Sequence, residues 1–102
     1  MNDFKIGDIS IDRNHRPFII AEMSGNHNQS LERALEITEA AARSGAQAMK
    51  LQTYTADTMT IQSNKKYFKI KNGLWKGYSL WDLYNKAKTP LEWHKDLFSY
   101  GK

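Results

Sequence analysis

The chain has 102 residues, a formal net charge of +4, 40% hydrophobic residues and no cysteine. Disulfides, thiolate metal sites and a Cys nucleophile are therefore excluded, and no apolar run approaches the ~20 residues that span a bilayer. Residues 1–5 lack the basic-then-apolar order of a secretory leader, so a cytoplasmic protein is expected. Charge is unevenly spread: residues 1–60 carry six Lys/Arg against eight Asp/Glu, and residues 61–102 carry nine against three. Lys65, Lys66, Lys69 and Lys71 cluster in the basic part. Such a cluster can grip nucleic acid or another anionic surface. A solvated loop is the plainer reading, and no RNA-recognition signature or basic helix accompanies the lysines.

In chain order, Phe4-Lys5-Ile6 and Ile9-Ser10-Ile11 alternate around Gly7-Asp8, which predicts a short β-hairpin over residues 4–11. A polar connector follows, closed by Pro17, which keeps it from entering the next element as helix. His15 lies in this connector and reads as a surface histidine. Residues 18–23, Phe-Ile-Ile-Ala-Glu-Met, then form a nearly continuous apolar run, the pattern of a strand covered on both faces in a parallel sheet. Side chains alternate along a strand, so Glu22 shares a face with Phe18 and Ile20. A carboxylate buried at that depth needs a cation, a donor or a ligand. It stands just before Ser24-Gly25-Asn26-His27, an exit loop rich in polar groups.

Ser30 reads as an N-cap, with Glu32 in the first helical turn. Leu31, Ala34, Leu35, Thr38, Ala41 and Ala42 recur at helical spacing, and Gly45 is the expected stop. Residues 48–54 return as a second strand. Strand, helix and strand over residues 18–54 make a βαβ unit, so the strands should be parallel and the crossover right-handed. Ala48, Lys50, Gln52 and Tyr54 take one strand face; Met49, Leu51 and Thr53 take the other, towards the helices. Lys50 and Gln52 thus fall on the same side as Glu22. Either Glu22 and Lys50 form a plain ion pair, or Lys50 holds an anionic substrate while Glu22 and Gln52 address a polar one.

Residues 55–88 form a long excursion with the aromatics Tyr67, Phe68, Trp75, Tyr78, Trp81 and Tyr84 and a short helix around Leu80, Leu83, Tyr84 and Ala87. An ordered excursion of this length is commonly a lid or a specificity element. Thr89-Pro90-Leu91-Glu92 has the form of a capping box with Pro at the first helical position, predicting a second helix over residues 89–100. Leu91, His94, Leu97, Phe98 and Gly101 follow its apolar side, with His94 a core or boundary residue. Two parallel strands and their helices cannot close a barrel, and a two-stranded sheet is marginal alone. The expected fold class is α/β: the N-terminal portion of a TIM (β/α)8 barrel preceded by a hairpin, incomplete in this chain, about two-fifths of a barrel of ~250 residues.

Residues 18–22, Asn26-His27, the Ala-rich helix ending Ser44-Gly45-Ala46, and Lys50-Leu51-Gln52-Thr53-Tyr54-Thr55 together resemble the opening of the sialic acid synthase family. Gly73-Leu74-Trp75, residues 80–84 and residues 87–94 are most similar to the branch that makes pseudaminic acid. The resemblance runs through nearly the whole chain. It implies a TIM barrel with a hairpin at its base and a C-terminal antifreeze-like domain outside these residues. It further implies condensation of phosphoenolpyruvate with a 2,4-diacetamido-2,4,6-trideoxy-altrose sugar to a nine-carbon 2-keto acid, with release of phosphate, in bacterial surface-glycan or flagellin glycosylation. N-acetylneuraminate and legionaminate synthesis remain alternatives, since the shared residues do not choose the sugar.

On this resemblance Lys50 lies at the phosphoenolpyruvate site, Glu22 and Gln52 lie beside the sugar, and Asn26 and His27 stand at the same strand mouth. Glu22 and Lys50 are the candidate catalytic residues. A divalent metal, Mn or Mg, is implied for the complete enzyme, polarising the aldehyde oxygen, with its histidine ligands on later strands. None of His15, His27 and His94 is assigned as a ligand. A homodimer is implied as well. Two readings from other classes stay open: a non-catalytic basic piece that binds nucleic acid with steep salt dependence, and a piece that complements the remainder of a split barrel.

Overall fold

The computed structural model describes residues 3–102. Residues 1 and 2, which open the stretch read for a leader, lie outside the described residues. The fold is mixed α/β. In order it comprises β1 (Phe4–Ile6), β2 (Ile9–Ile11), β3 (Ile20–Glu22), α1 (Leu31–Arg43), β4 (Ala48–Lys50), α2 (Ala56–Met59), α3 (Leu80–Ala87) and α4 (His94–Tyr100). Short 3-10 turns stand at Lys66–Phe68 and Leu91–Trp93.

β1 and β2 pair antiparallel in a two-stranded sheet of their own, with Phe4 opposite Ile11 and Ile6 opposite Ile9. Gly7 makes the turn possible: its φ of +57° is unfavourable for residues that carry a Cβ. β3 and β4 pair parallel, with Ile20 opposite Ala48, Ala21 opposite Met49 and Glu22 opposite Lys50.

α1 makes the crossover between them. The Ser30 hydroxyl accepts the Arg33 N–H at 3.2 Å, satisfying one of the free donors at the helix start. Glu32 and Arg43 sit at the ends where the helix dipole favours their charges. At the exit Gly45, at φ +95°, lets its N–H and that of Ala46 turn back to the carbonyls of Ala42 and Ala41.

The core lies between this helix, the strands and α4. Met23, Ala34 and Leu97 are buried together, with Leu31, Leu35, Ile37, Met49, Leu51 and Trp93 packed around them. Met23, Met49 and Leu51 come from the strand face opposite Glu22 and Lys50. Ile37 joins this cluster although it lies off the apolar face read from the spacing, and Ala42, counted in that face, is exposed.

Four expectations need correction. The second strand stops at Lys50 and does not run to residue 54. Ser24 ends the opportunity for pairing: its φ of +51° turns the first strand away, so no ladder partner continues beside residues 51–54. The second helix begins at His94, not at residue 89, after a 3-10 turn. Thr89 is drawn elsewhere, its N–H donating to Gln52 O at 2.9 Å and its buried hydroxyl making no cap. Leu91 and Phe98, placed on the apolar side from spacing, are exposed. Finally, Glu22 is not deep: Ile20 on the same face is 55% exposed, and the described residues place no second layer over it.

The buried apolar set is small, namely Met23, Ala34, Ala56 and Leu97 among the described residues. The radius of gyration is 17.0 Å, against ~13 Å for a compact domain of this size. An apolar groove of about 400 Å³ stays open between β4 and α4, lined by Met49, Leu51, Leu97 and Phe98 among others.

Candidate active site

Parallel pairing in this register sets Glu22 directly beside Lys50, at the C-terminal ends of β3 and β4. The Lys50 ammonium donates to both Glu22 carboxylate oxygens, at 3.2 Å to Oε1 and 3.0 Å to Oε2. The Lys50 and Glu22 side chains are 58% and 46% exposed. An exposed ion pair of this kind contributes only ~0.2–1 kcal/mol, so its charges remain accessible to a ligand at little cost to the fold. One step further along both chains, Ser24 Oγ donates to Gln52 Oε1 at 3.1 Å. The ion pair at the strand ends is thus followed by a polar pair just beyond them.

The structure therefore brings Glu22, Lys50 and Gln52 together and adds Ser24, which had not been singled out. The signal was available in the alternation: Ser24 follows Glu22 by two residues, as Gln52 follows Lys50. Asn26 is exposed in the exit loop, its amide donating to Met23 O at 2.9 Å while its own carbonyl accepts the Arg33 Nε–H at 2.7 Å.

His27 departs from the expected place at the strand mouth. It is fully buried, edge-on to Trp93 with ring centroids 5.0 Å apart at 83°. Its Nδ1 accepts the Gln29 N–H at 2.9 Å, which puts the proton of the neutral ring on Nε2. Burial pushes its pKa below the ordinary value, partly offset by the nearby backbone of Ala87 and Lys88. Nε2 itself makes no hydrogen bond of good geometry. Desolvation penalises the imidazolium, so the buried ring favours its neutral form.

A sequence model described as the NeuB family matches residues 37–102. The chain belongs to the NeuB family. It is 50% identical over 94 residues to a pseudaminic acid synthase of Campylobacter jejuni, covering 92% of this chain and 27% of that protein. It is 49% identical over 86 residues to a pseudaminic acid synthase of Helicobacter pylori, covering 84% and 25%. The crystal structure of the spore coat polysaccharide biosynthesis protein SpsE of Bacillus subtilis superposes with a TM-score of 0.65 at 29% identity, covering 97% of this chain and 24% of that one. The chain thus spans about a quarter of the length of the curated relatives it matches.

Within this NeuB-family chain, the described residues contain no group of three or more His, Cys, Asp or Glu side chains that could hold a metal ion. His15 Nδ1 lies 2.8 Å from Asp12 Oδ1, and His94 Nε2 lies 2.6 Å from Thr53 Oγ1. These residues do not fit a metal site. No helix among the described residues is long and apolar enough to cross a membrane. What the face can do is recognise an anion through Lys50 and hydroxyl or carbonyl groups through Glu22, Ser24 and Gln52.

Proposed function

We propose that this chain supplies the first two strands of a (β/α)8 barrel synthase that condenses phosphoenolpyruvate with 2,4-diacetamido-2,4,6-trideoxy-altrose to pseudaminic acid. The observation that carries the reading is the convergence of Lys50, Glu22 and the Ser24–Gln52 pair on one open face at the strand ends, where such barrels do their chemistry. The extent of identity to the two pseudaminic acid synthases supports the choice of sugar.

The chemistry matches the residue types. The methylene carbon of phosphoenolpyruvate forms a bond to the sugar aldehyde carbon, whose oxygen takes up a proton. Water adds to the cationic carbon left behind and gives up a proton. The bond from that carbon to the phosphate oxygen then breaks while the new hydroxyl loses its proton to the departing phosphate, leaving the 2-keto acid and inorganic phosphate.

Lys50 is assigned to the anionic phosphoenolpyruvate. An ammonium has three donors, so it can keep Glu22 while turning another towards the substrate. Glu22 holds a sugar hydroxyl and keeps the ammonium in place; its charge also offsets positive charge developing at the reacting carbon. Gln52 and Ser24 hold polar groups of the sugar, with Asn26 at the rim. The divalent metal, cytoplasmic location and homodimer belong to the complete enzyme and rest on the family resemblance alone.

A competition assay tests this reading. The complete enzyme is offered phosphoenolpyruvate with the altrose derivative, N-acetylmannosamine or the legionaminate precursor, and phosphate release is followed. Preference for the altrose derivative is expected. Preference for either other sugar would move the assignment to N-acetylneuraminate or legionaminate synthesis, and no release with any sugar would reject it.

A further inference from the structure

Three facts about the exit loop of β3 belong together. Ser24, Asn28 and Gln29 all lie at positive φ, 51°, 50° and 62°, a conformation that Ser and Gln adopt only when their surroundings enforce it. Gly25 is pressed against the end of α3, where a Cβ would meet Ala87 Cβ at 3.0 Å and Ala87 O at 3.2 Å. And His27 is buried beneath Trp93 with its Nδ1 on the Gln29 N–H. The loop's neighbour continues into Thr89, whose N–H donates to Gln52 O, while the Gln52 side chain accepts from Ser24.

We propose that His27 is a positioning residue: its neutral imidazole clamps the β3 exit loop onto residues 87–93, and through Ser24 and Gln52 holds the polar face in register without touching substrate. This deepens the synthase reading and rests on it for the consequence in turnover. Three properties of the ring are used at once. Nδ1 closes the turn to Gln29, the ring packs T-shaped against Trp93, and the imidazole lies near the backbone of Ala87 and Lys88. The contacts lie wholly between residues of this chain. They do not depend on what covers its open surfaces.

Substitutions separate these functions. Asn places an oxygen about where Nδ1 stands and can keep the two-residue turn to Gln29; Ala cannot. In the complete synthase, His27→Ala is expected to lower kcat/KM on the order of tenfold to a hundredfold through misplacement of Ser24 and Gln52, and His27→Asn to recover most of that loss. In the 15N spectrum of the wild-type protein, the imidazole resonances that vanish in His27→Asn should report the Nε2–H tautomer at neutral pH and stay unmoved by saturating phosphoenolpyruvate and sugar.

A ligand-induced change of tautomer or a large shift would make His27 a substrate contact and overturn the proposal. Unchanged kcat/KM in a folded His27→Ala protein would reduce it to packing and overturn it equally. Should the wild type turn over no phosphoenolpyruvate, the synthase reading fails. The tautomer and the protection of the Gln29 amide against exchange, lost in Ala and kept in Asn, would still decide the clamp.

Discussion

Lys50 Nζ stands 3.0 Å from Glu22 Oε2 because two parallel strands place those residues opposite each other. The pair is accessible, and the pair just beyond the strand ends, Ser24 and Gln52, is also polar. A face meant only for packing would carry apolar side chains at these positions, as the opposite face does with Met23, Met49 and Leu51.

Glu22 is expected to contribute to turnover more than to phosphoenolpyruvate affinity. Glu22→Gln keeps the shape and removes the charge. It should lower kcat on the order of a hundredfold, the usual loss when one group stabilising transition-state charge is removed, while leaving KM for phosphoenolpyruvate unchanged or lower, since Lys50 loses its internal partner. Steady-state kinetics with each substrate varied in turn gives the answer, and a rise confined to that KM would reverse the roles of the two residues.

Gly25 has no room for a side chain. Gly25→Ala would force the exit loop and the end of α3 apart, because Ala87 Cβ lies 3.0 Å from where the new carbon would be. A loss of ~1–3 kcal/mol is expected for overpacking of this kind, measured by denaturant unfolding. Gly25→Ala together with Ala87→Gly should restore part of it by removing the nearest of the clashing atoms.

His27 links stability to pH. Its folded-state pKa lies below the ordinary 6.5, with burial as the leading cause. In the unfolded chain the ring takes up its proton near the ordinary value, while the folded protein resists doing so. Stability from this residue is therefore intact at neutral pH and above, and falls as pH drops below ~6.5 until the folded ring is protonated too. Protonation of the folded ring also removes the acceptor for the Gln29 N–H, so the exchange rate of that amide, corrected for intrinsic pH dependence, should rise as pH falls through the lowered folded-state pKa. In His27→Asn both effects should vanish.

The helix α1 start is a local test of the crossover. Ser30→Ala removes the acceptor for the Arg33 N–H and should cost about 1 kcal/mol, whereas Ser30→Asp should be nearly neutral. Equal losses in both variants would mean that Ser30 acts through something other than its cap.

The sequence was most readable where local rules and tertiary context agree. Ser30, Glu32 and Gly45 mark α1 by capping and charge alone, and parity along the strands puts Glu22 with Lys50 and Gln52. Thr89 and Glu92 misled because a good capping box lost to a backbone partner 37 residues away, Gln52. His27 misled for a related reason. Its neighbours in sequence are polar and suggest an open mouth, but Trp93 and Ala87, distant in the chain, bury it. The depth of Glu22 depended on a continuous apolar run being covered on both sides, and residues 3–102 supply only one of the two covers.

The most direct measurement concerns Lys50. Phosphoenolpyruvate binding to the complete synthase, wild type and Lys50→Ala, is followed by titration calorimetry alongside kinetics. Loss of a charge-assisted contact to the anion should weaken binding by about ten- to a hundredfold, equivalent to ~1.5–3 kcal/mol, with kcat/KM for phosphoenolpyruvate falling at least as far. Equal affinity and equal turnover in the two proteins would contradict the assignment of this strand face to the substrate.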